Sequence, residues 1–343
     1  MRNINDLAAT ASALVAKKKG ILAADESTGT ITKRFNTVDV ESTEQNRRDY
    51  REMLFRTKGI SEFISGVILY DETIRQKATN GIPLVSILQQ VGVIPGIKVD
   101  KGVKPLAGTE NELVTEGLDG LGERFEEYYQ MGARFSKWRA VLSISKATPS
   151  DYCVTINAHA LARYARLSQE AGLVPIVEPE VLMDGRHSID DCFAATERMQ
   201  RELFYQLSQQ GVALEGCLLK SNMVLSGKES ANHASPEEVG ERTVACLMRT
   251  APAIVPGIVF LSGGQDDEES VLNLNAISKE GEKVGVPWEL SYSYARGLQA
   301  TPLKIWAGKA ANVPEAQKAF YQRCLVTSQA RSGSYKQLIP QTI

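Results

Sequence analysis

Eight short, β-rich apolar runs recur along the chain at 20–27, 65–71, 96–101, 133–141, 174–180, 215–222, 257–263 and 288–296, each ending in polar or Gly/Pro punctuation. Between them lie segments with the 3.6-residue helical period, for example 118–131, 154–171, 192–210, 236–249 and 268–279. A crossover helix is what joins two parallel strands, so this alternation predicts parallel pairing throughout. Eight units with no composition break and no Gly/Ser-rich linker favour a closed α/β architecture, the (β/α)8 TIM barrel, over an open doubly wound sheet. The expected organisation is a single domain over 1–343, with 1–18 as an N-terminal helix and 313–343 as a C-terminal helix and tail.

Local signals agree with this reading. Ser235-Pro236-Glu237-Glu238 reads as an N-cap, a proline at the first helical position and acids in the first turn, while Gly172 and Gly211 stand where helix C-caps belong. Dinucleotide and NTP binding are disfavoured. Gly117, Gly120 and Gly122 lack the GxGxxG spacing and follow no strand, and no GxxxxGK[ST] loop occurs. The net charge is −2 with both signs interleaved, which disfavours a nucleic-acid partner.

Five irregularly spaced cysteines without a CxxC pair read as reduced, buried thiols in a cytoplasmic protein, and three scattered histidines leave no metal cage. No metal and no cofactor are therefore expected. No apolar window reaches the roughly 18 residues of a membrane helix. The apolar stretch 7–16 follows Arg2 like a signal peptide, but Asp6 and the 17–19 lysines bracket it, and Ile4, Leu7, Ala8, Ala11, Leu14 and Val15 fall at helical spacing. An amphipathic helix packing on the body is the reading preferred.

In a barrel all strands end at one mouth, where active sites are built. Strand one ends in Asp25-Glu26-Ser27; strand three runs into Lys98-Val99-Asp100-Lys101; strand four carries Lys137-Trp138-Arg139; strand five delivers Glu178-Pro179-Glu180; strand six delivers Lys220. The two-residue strand period puts Lys137 with Arg139 and Glu178 with Glu180 on shared faces, with Trp138 and Pro179 turned away. Any one such lysine is more often a strand-end salt bridge. Buried together, the set is costly unless it is paired and used.

Lysine with carboxylates suits Schiff-base chemistry: a desolvated amine beside other cations loses its proton readily and attacks a ketone. Lys220 is the nucleophile candidate, Lys137 the neighbouring cation, Glu178 the acid for the departing carbinolamine oxygen, and Asp25 the base for a substrate hydroxyl. The iminium then serves as electron sink for C–C cleavage. Ser262-Gly263-Gly264 offers an anion nest and Arg296 lies at the adjacent strand end, a common phosphate position in barrels. A second anion site is expected from Ser27, Thr30, Arg34, Lys98 and Arg139 across the mouth.

The segments Gly20 to Gly29, Gly96 to Gly102, Lys137-Trp138-Arg139, Val174 to Glu180, Leu218-Leu219-Lys220, Phe260 to Gln265 and Tyr294 to Arg296 together resemble class I fructose-bisphosphate aldolase over nearly the whole chain. The resemblance implies Lys220 as the Schiff-base lysine, with Asp25, Lys137, Glu178 and Glu180 as the acid/base group. It implies that Ser262, Gly263, the backbone at Ala295 and Arg296 hold the ketone-half phosphate, and that Ser27, Thr30, Arg34, Lys98 and Arg139 meet the distal phosphate and hydroxyls. The implied reaction is reversible cleavage of fructose 1,6-bisphosphate to dihydroxyacetone phosphate and glyceraldehyde 3-phosphate, and the implied assembly is a homotetramer.

Three departures stand out. Ala295 replaces an expected glycine, Thr30 replaces a serine, and the tail after Tyr335 has no terminal tyrosine for enamine proton exchange, which leaves Tyr335 as a candidate. The alternatives are a Schiff-base aldolase of a related sugar phosphate such as fructose 1-phosphate, a metal-dependent aldolase, and a non-catalytic barrel scaffold.

Overall fold

In the computed structural model, which describes residues 4–336, ten strands form: β1 Gly20–Ala24, β2 Ile64–Leu69, β3 Ile94–Lys98, β4 Val103–Pro105, β5 Leu113–Thr115, β6 Phe135–Leu142, β7 Val174–Val181, β8 Leu218–Ser221, β9 Gly257–Phe260 and β10 Glu289–Tyr294. Eight of them close a barrel in the order β1-β10-β9-β8-β7-β6-β3-β2, every pair parallel, as the alternating pattern requires. β4 and β5 make a small antiparallel hairpin beside the mouth that the strand-helix alternation does not announce.

The two-residue period sorts the side chains into two cores. Inward-facing Ile21, Ala23, Ile68, Phe135, Val174, Ile176, Leu218 and Val259 share one buried cluster with Leu7, Ala11, Leu14 and Val15, so the helix Ile4–Leu14 plugs the N-terminal end of the barrel. Outward-facing Leu22, Ala24, Val67, Leu69, Trp138, Ala140, Val177, Leu219, Ile258 and Phe260 belong to the second core, between strands and surrounding helices. Trp138, turned away from the barrel axis, stacks on Tyr164 of the helix Asp151–Glu170 with ring centroids 5.6 Å apart.

Steric room inside the barrel explains one glycine directly. A Cβ on Gly96 would fall 2.3 Å from Cζ of Phe135, so the Phe135 ring fills the space that a side chain on β3 would claim. With the lower interior filled by hydrocarbon, charge is confined to the upper layers, where Lys98, Lys137, Glu178 and Lys220 continue the same inward rows.

Several strands stop earlier than their runs suggest, where a helix cap or a turn takes over. Ser27 caps the helix Thr28–Asn36 through its side chain to the Thr30 N–H, which turns 25–27 out of the β1 ladder. Ala295 is the residue before the helix Arg296–Trp306, and Gly263 and Gly264 turn with φ of 51° and 99° just past β9. On the N-terminal side of β8, Leu214–Gly216 forms a 3-10 turn instead of strand, because Gly216 packs against Leu7 of the plug helix.

The caps read from the sequence are found: Ser235 accepts from the Glu238 N–H ahead of Pro236, and Gly172 and Gly211 take φ of 82° and 64° after their helices. All five cysteines are free and buried.

Replacing Gly96 by alanine overpacks the barrel against Phe135. Thermal unfolding is expected to show a loss of about 1–3 kcal/mol, part of which returns when Phe135→Leu is added to Gly96→Ala.

Candidate active site

The C-terminal mouth opens into a cavity of about 650 Å³ lined by all the sequence candidates except Tyr335: Asp25, Ser27, Thr30, Arg34, Lys98, Lys137, Arg139, Glu178, Glu180, Lys220, Ser262, Gly263, Ala295 and Arg296. They come from seven strand ends and the loops or helix turns that follow them, which is why they are scattered through the chain. The parallel register sets Arg139 of β6 opposite Glu178 of β7, and Val141 opposite Glu180.

At the floor lies a line of alternating charge. Lys137 Nζ stands 2.7 Å from Asp25 Oδ2 and 3.2 Å from Glu178 Oε2, and Lys220 Nζ stands 3.0 Å from Glu178 Oε1. All four groups are buried, with Lys137 and Lys220 each only 4% exposed. Charges so far from water persist only because each has a partner.

The cluster also sets protonation states. Burial pushes the Asp25 carboxyl up, but the Lys137 charge, reinforced by Lys220, more than offsets it and holds the group well below the usual carboxylate range. Burial likewise raises Glu178, and Lys137, Lys220 and Arg139 bring it net below its ordinary value. For Lys137 the balance runs the other way: burial favours the neutral amine, while Asp25 and Glu178 hold its pKa above the ordinary lysine value. Lys137 is thus a fixed cation between two carboxylates, whereas Lys220 touches one carboxylate.

Around the rim the cations are tethered. Arg139 pairs with Glu180, Lys98 with Asp100, and Arg34 with Glu26, while Ser27 Oγ and Thr30 Oγ1 lie 3.1 Å apart. These form one anion-seeking corner. On the other side, buried Ser262, the turn at Gly263 and Gly264, and exposed Arg296 form a second. Ala295 has φ of −100°, so the position does not take the positive φ that would call for glycine.

Sequence reasoning missed several residues here. Glu26 is buried and held by Gln299 Nε2 at 2.9 Å and by Arg51 at 3.7 Å as well as by Arg34. Its signal was its place beside Asp25; its partners Arg51 and Gln299, 25 and 273 positions away, gave none. Asp100, which also accepts from the Arg139 N–H at 3.3 Å, anchors Lys98. Lys33, Asp184 and Lys228 line the cavity without a motif to mark them. Tyr335 is not among the lining residues; it packs on the outer core, and its N–H donates to Asn275 Oδ1. The tail beyond Lys336 lies outside the described residues, as does Arg2.

A lysine-carboxylate cluster between two anion-seeking corners at the mouth of a (β/α)8 barrel defines a class of barrel enzyme that works on small phosphorylated molecules. Comparison with known proteins is specific. A family model described as fructose-bisphosphate aldolase class-I matches residues 6–342. The probable fructose-bisphosphate aldolase class 1 of Xanthomonas campestris pv. campestris is 55% identical over 335 residues, covering 97% of this chain and 99% of that protein. The cytosolic fructose-bisphosphate aldolase 6 of Arabidopsis thaliana is 54% identical over 97% of this chain and 92% of its own length. Among solved structures, fructose-bisphosphate aldolase from Plasmodium falciparum, crystallised with TRAP and a small-molecule inhibitor, superposes with a TM-score of 0.95 at 50% identity over 97% of this chain and 96% of that one. The chain belongs to the class I fructose-bisphosphate aldolase family. Among the described residues no helix is long and apolar enough to cross a membrane.

The charge line has a pH signature. Stabilisation from the depressed Asp25 and Glu178 is fully present above their unfolded values, about 4, and is lost as pH falls through their folded values; that from the raised Lys137 is present below about 10.4 and lost above. The native protein is therefore expected to gain nothing from this cluster on going from pH 8 to pH 5. In Lys137→Met, Asp25 is buried without its closest cation, its folded pKa rises above the unfolded value, and stability improves as pH falls. Thermal melts are expected to show a deficit of about 3–5 kcal/mol near pH 8 that shrinks towards pH 5.

Proposed function

We propose that the chain catalyses the reversible aldol cleavage of fructose 1,6-bisphosphate to dihydroxyacetone phosphate and glyceraldehyde 3-phosphate through a Schiff base on Lys220. The supporting observation is the division of labour between the two buried lysines: Lys137 is pinned as a cation by Asp25 and Glu178, and Lys220, with one carboxylate contact at 3.0 Å, is the amine left to react.

The Lys220 amine adds to the C2 ketone to give a carbinolamine. Glu178, ionised at rest beside Lys220, takes the proton that the nitrogen sheds on addition and passes it to the C2 oxygen, which leaves as water, and an iminium forms. Asp25 takes the proton of the C4 hydroxyl; the C3–C4 bonding pair moves into the iminium, and the aldehyde product departs with a new C4 carbonyl. The proton that Asp25 removed balances the one taken up at C3 of the remaining enamine, and water then returns to C2 to release dihydroxyacetone phosphate and the free amine. Lys137 holds the two carboxylates ionised and apart, and Glu180 steadies Arg139 at the rim.

Two anion corners on opposite sides of one mouth favour a bisphosphate over fructose 1-phosphate. Ser262, Gly263, the Ala295 N–H and Arg296 take the phosphate of the ketone half; Ser27, Thr30, Arg34, Lys98 and Arg139 take the distal phosphate and hydroxyls. We read the chain as a single barrel domain, cytosolic like its plant relatives and, from the family resemblance, a homotetramer. Light scattering is expected to return about four times the 37.5 kDa chain mass.

Incubation with dihydroxyacetone phosphate, borohydride reduction and peptide mapping is expected to place the adduct on Lys220 and to lose it in Lys220→Ala, with kcat down at least about a thousandfold. An adduct on Lys137 would exchange the lysine roles; turnover without any adduct would remove the mechanism. For Arg34→Ala, KM for the bisphosphate is expected to rise by about tenfold, with a much smaller change for fructose 1-phosphate.

A further inference from the structure

Loop 182–187 after β7 and loop 227–229 after β8 are clasped by three backbone bonds: Gly227 N–H to His187 O at 2.8 Å, Lys228 N–H to Met183 O at 2.7 Å, and Glu229 N–H to Gly185 O at 2.8 Å. The approach leaves no space for a side chain at position 227, where a Cβ would lie 2.4 Å from Gly185 O. The backbone of Lys228 is thereby fixed at the cavity edge.

Its location is specific. A Cβ built on Gly264 would be 3.7 Å from Arg296 Nη2 and 3.9 Å from Met183 Sδ, so the phosphate turn lies between Arg296 on one side and the Met183 loop that carries Lys228 on the other. Lys228 and Arg296 both line the cavity and are both exposed. Neither has a carboxylate within ion-pair distance among the described residues, whereas Arg34, Lys98 and Arg139 across the mouth are each tethered to an acid. The Lys228 charge also reaches Glu269, in the first turn of the helix that follows the phosphate turn, where it opposes the burial that pushes that carboxyl up.

We propose that Lys228 is a substrate-binding residue for the ketone-half phosphate, closing over the Gly263-Gly264 turn opposite Arg296 so that the dianion is held between two untethered cations. The inference rests on the phosphate assignment made under the proposed function. It gives the two corners different characters. The distal corner is preorganised by its own acids, while the ketone-half corner keeps two free charges for the group that stays bound through the Schiff-base stage. A ligand lacking this phosphate would be blind to Lys228.

The test is a charge series at position 228 with two readouts. In borohydride trapping, the dihydroxyacetone phosphate concentration giving half-maximal adduct is expected to rise about fivefold in Lys228→Gln and further in Lys228→Glu, and to return to within about twofold in Lys228→Arg. The adduct at saturation should remain on Lys220. Bisphosphate and 1-phosphate substrates should show equal KM increases with kcat held, and the difference from the native protein should shrink in high salt. An unchanged half-saturation in Lys228→Gln, an equal loss in Lys228→Arg, or an effect on the bisphosphate alone would overturn the inference. Inorganic phosphate titrated calorimetrically into native protein and Lys228→Gln decides the point independently: weaker binding in the variant supports Lys228, and equal binding overturns it. If the native protein gave no Lys220 adduct while phosphate binding still depended on Lys228, the Schiff-base reading would fall and the phosphate clamp would stand.

Discussion

The placement of Lys137 between Asp25 and Glu178 is the interaction on which the mouth depends. Four ionisable groups withdrawn from water would destabilise the barrel by many kcal/mol if each stood alone. Alternating the signs makes each the counter-charge of its neighbour. The same alternation fixes protonation: the carboxylates stay ionised, Lys137 stays a cation, and Lys220 at the end of the line has one anionic contact instead of two. Fold stability and the ionisation of Asp25, Glu178 and Lys137 therefore come from one arrangement.

That arrangement needs a rigid floor. The lower interior is close-packed hydrocarbon, with Phe135 occupying the room left by Gly96 and the Ile4–Leu14 helix sealing the opposite end. The plugged barrel holds Lys137, Glu178 and Lys220 on strands, whose parallel pairing resists displacement, while Asp25 and Ser262 lie just past strand ends and Arg34 and Arg296 stand on helices.

The barrel was legible because alternating strand and helix periodicity is local information, and the line of strand-end charges was legible because strand direction places those ends at one mouth. The inward pairs Lys137 with Arg139 and Glu178 with Glu180 followed from the two-residue period. Strand ends were misjudged at Asp25 to Ser27 and at Leu261 to Gly263, since whether a polar residue continues a ladder or caps the next helix depends on the packing of that helix. The hairpin Val103–Pro105 with Leu113–Thr115 escaped for a similar reason: three-residue strands carry too little pattern to be heard.

By itself the sequence determined the fold class, the residues at each strand end and the chemistry their types permit, because apolar periodicity and side-chain identity are carried residue by residue. Only the tertiary structure decided who pairs with whom: that Lys137 rather than Lys220 is bracketed by two carboxylates, that Glu26 is held by Arg34, Arg51 and Gln299, and that the Lys228 backbone is clasped to the 182–187 loop at the cavity edge. Coulomb energy and desolvation depend on distance and burial in three dimensions, and residues separated by tens to hundreds of positions acquire both only when the barrel closes.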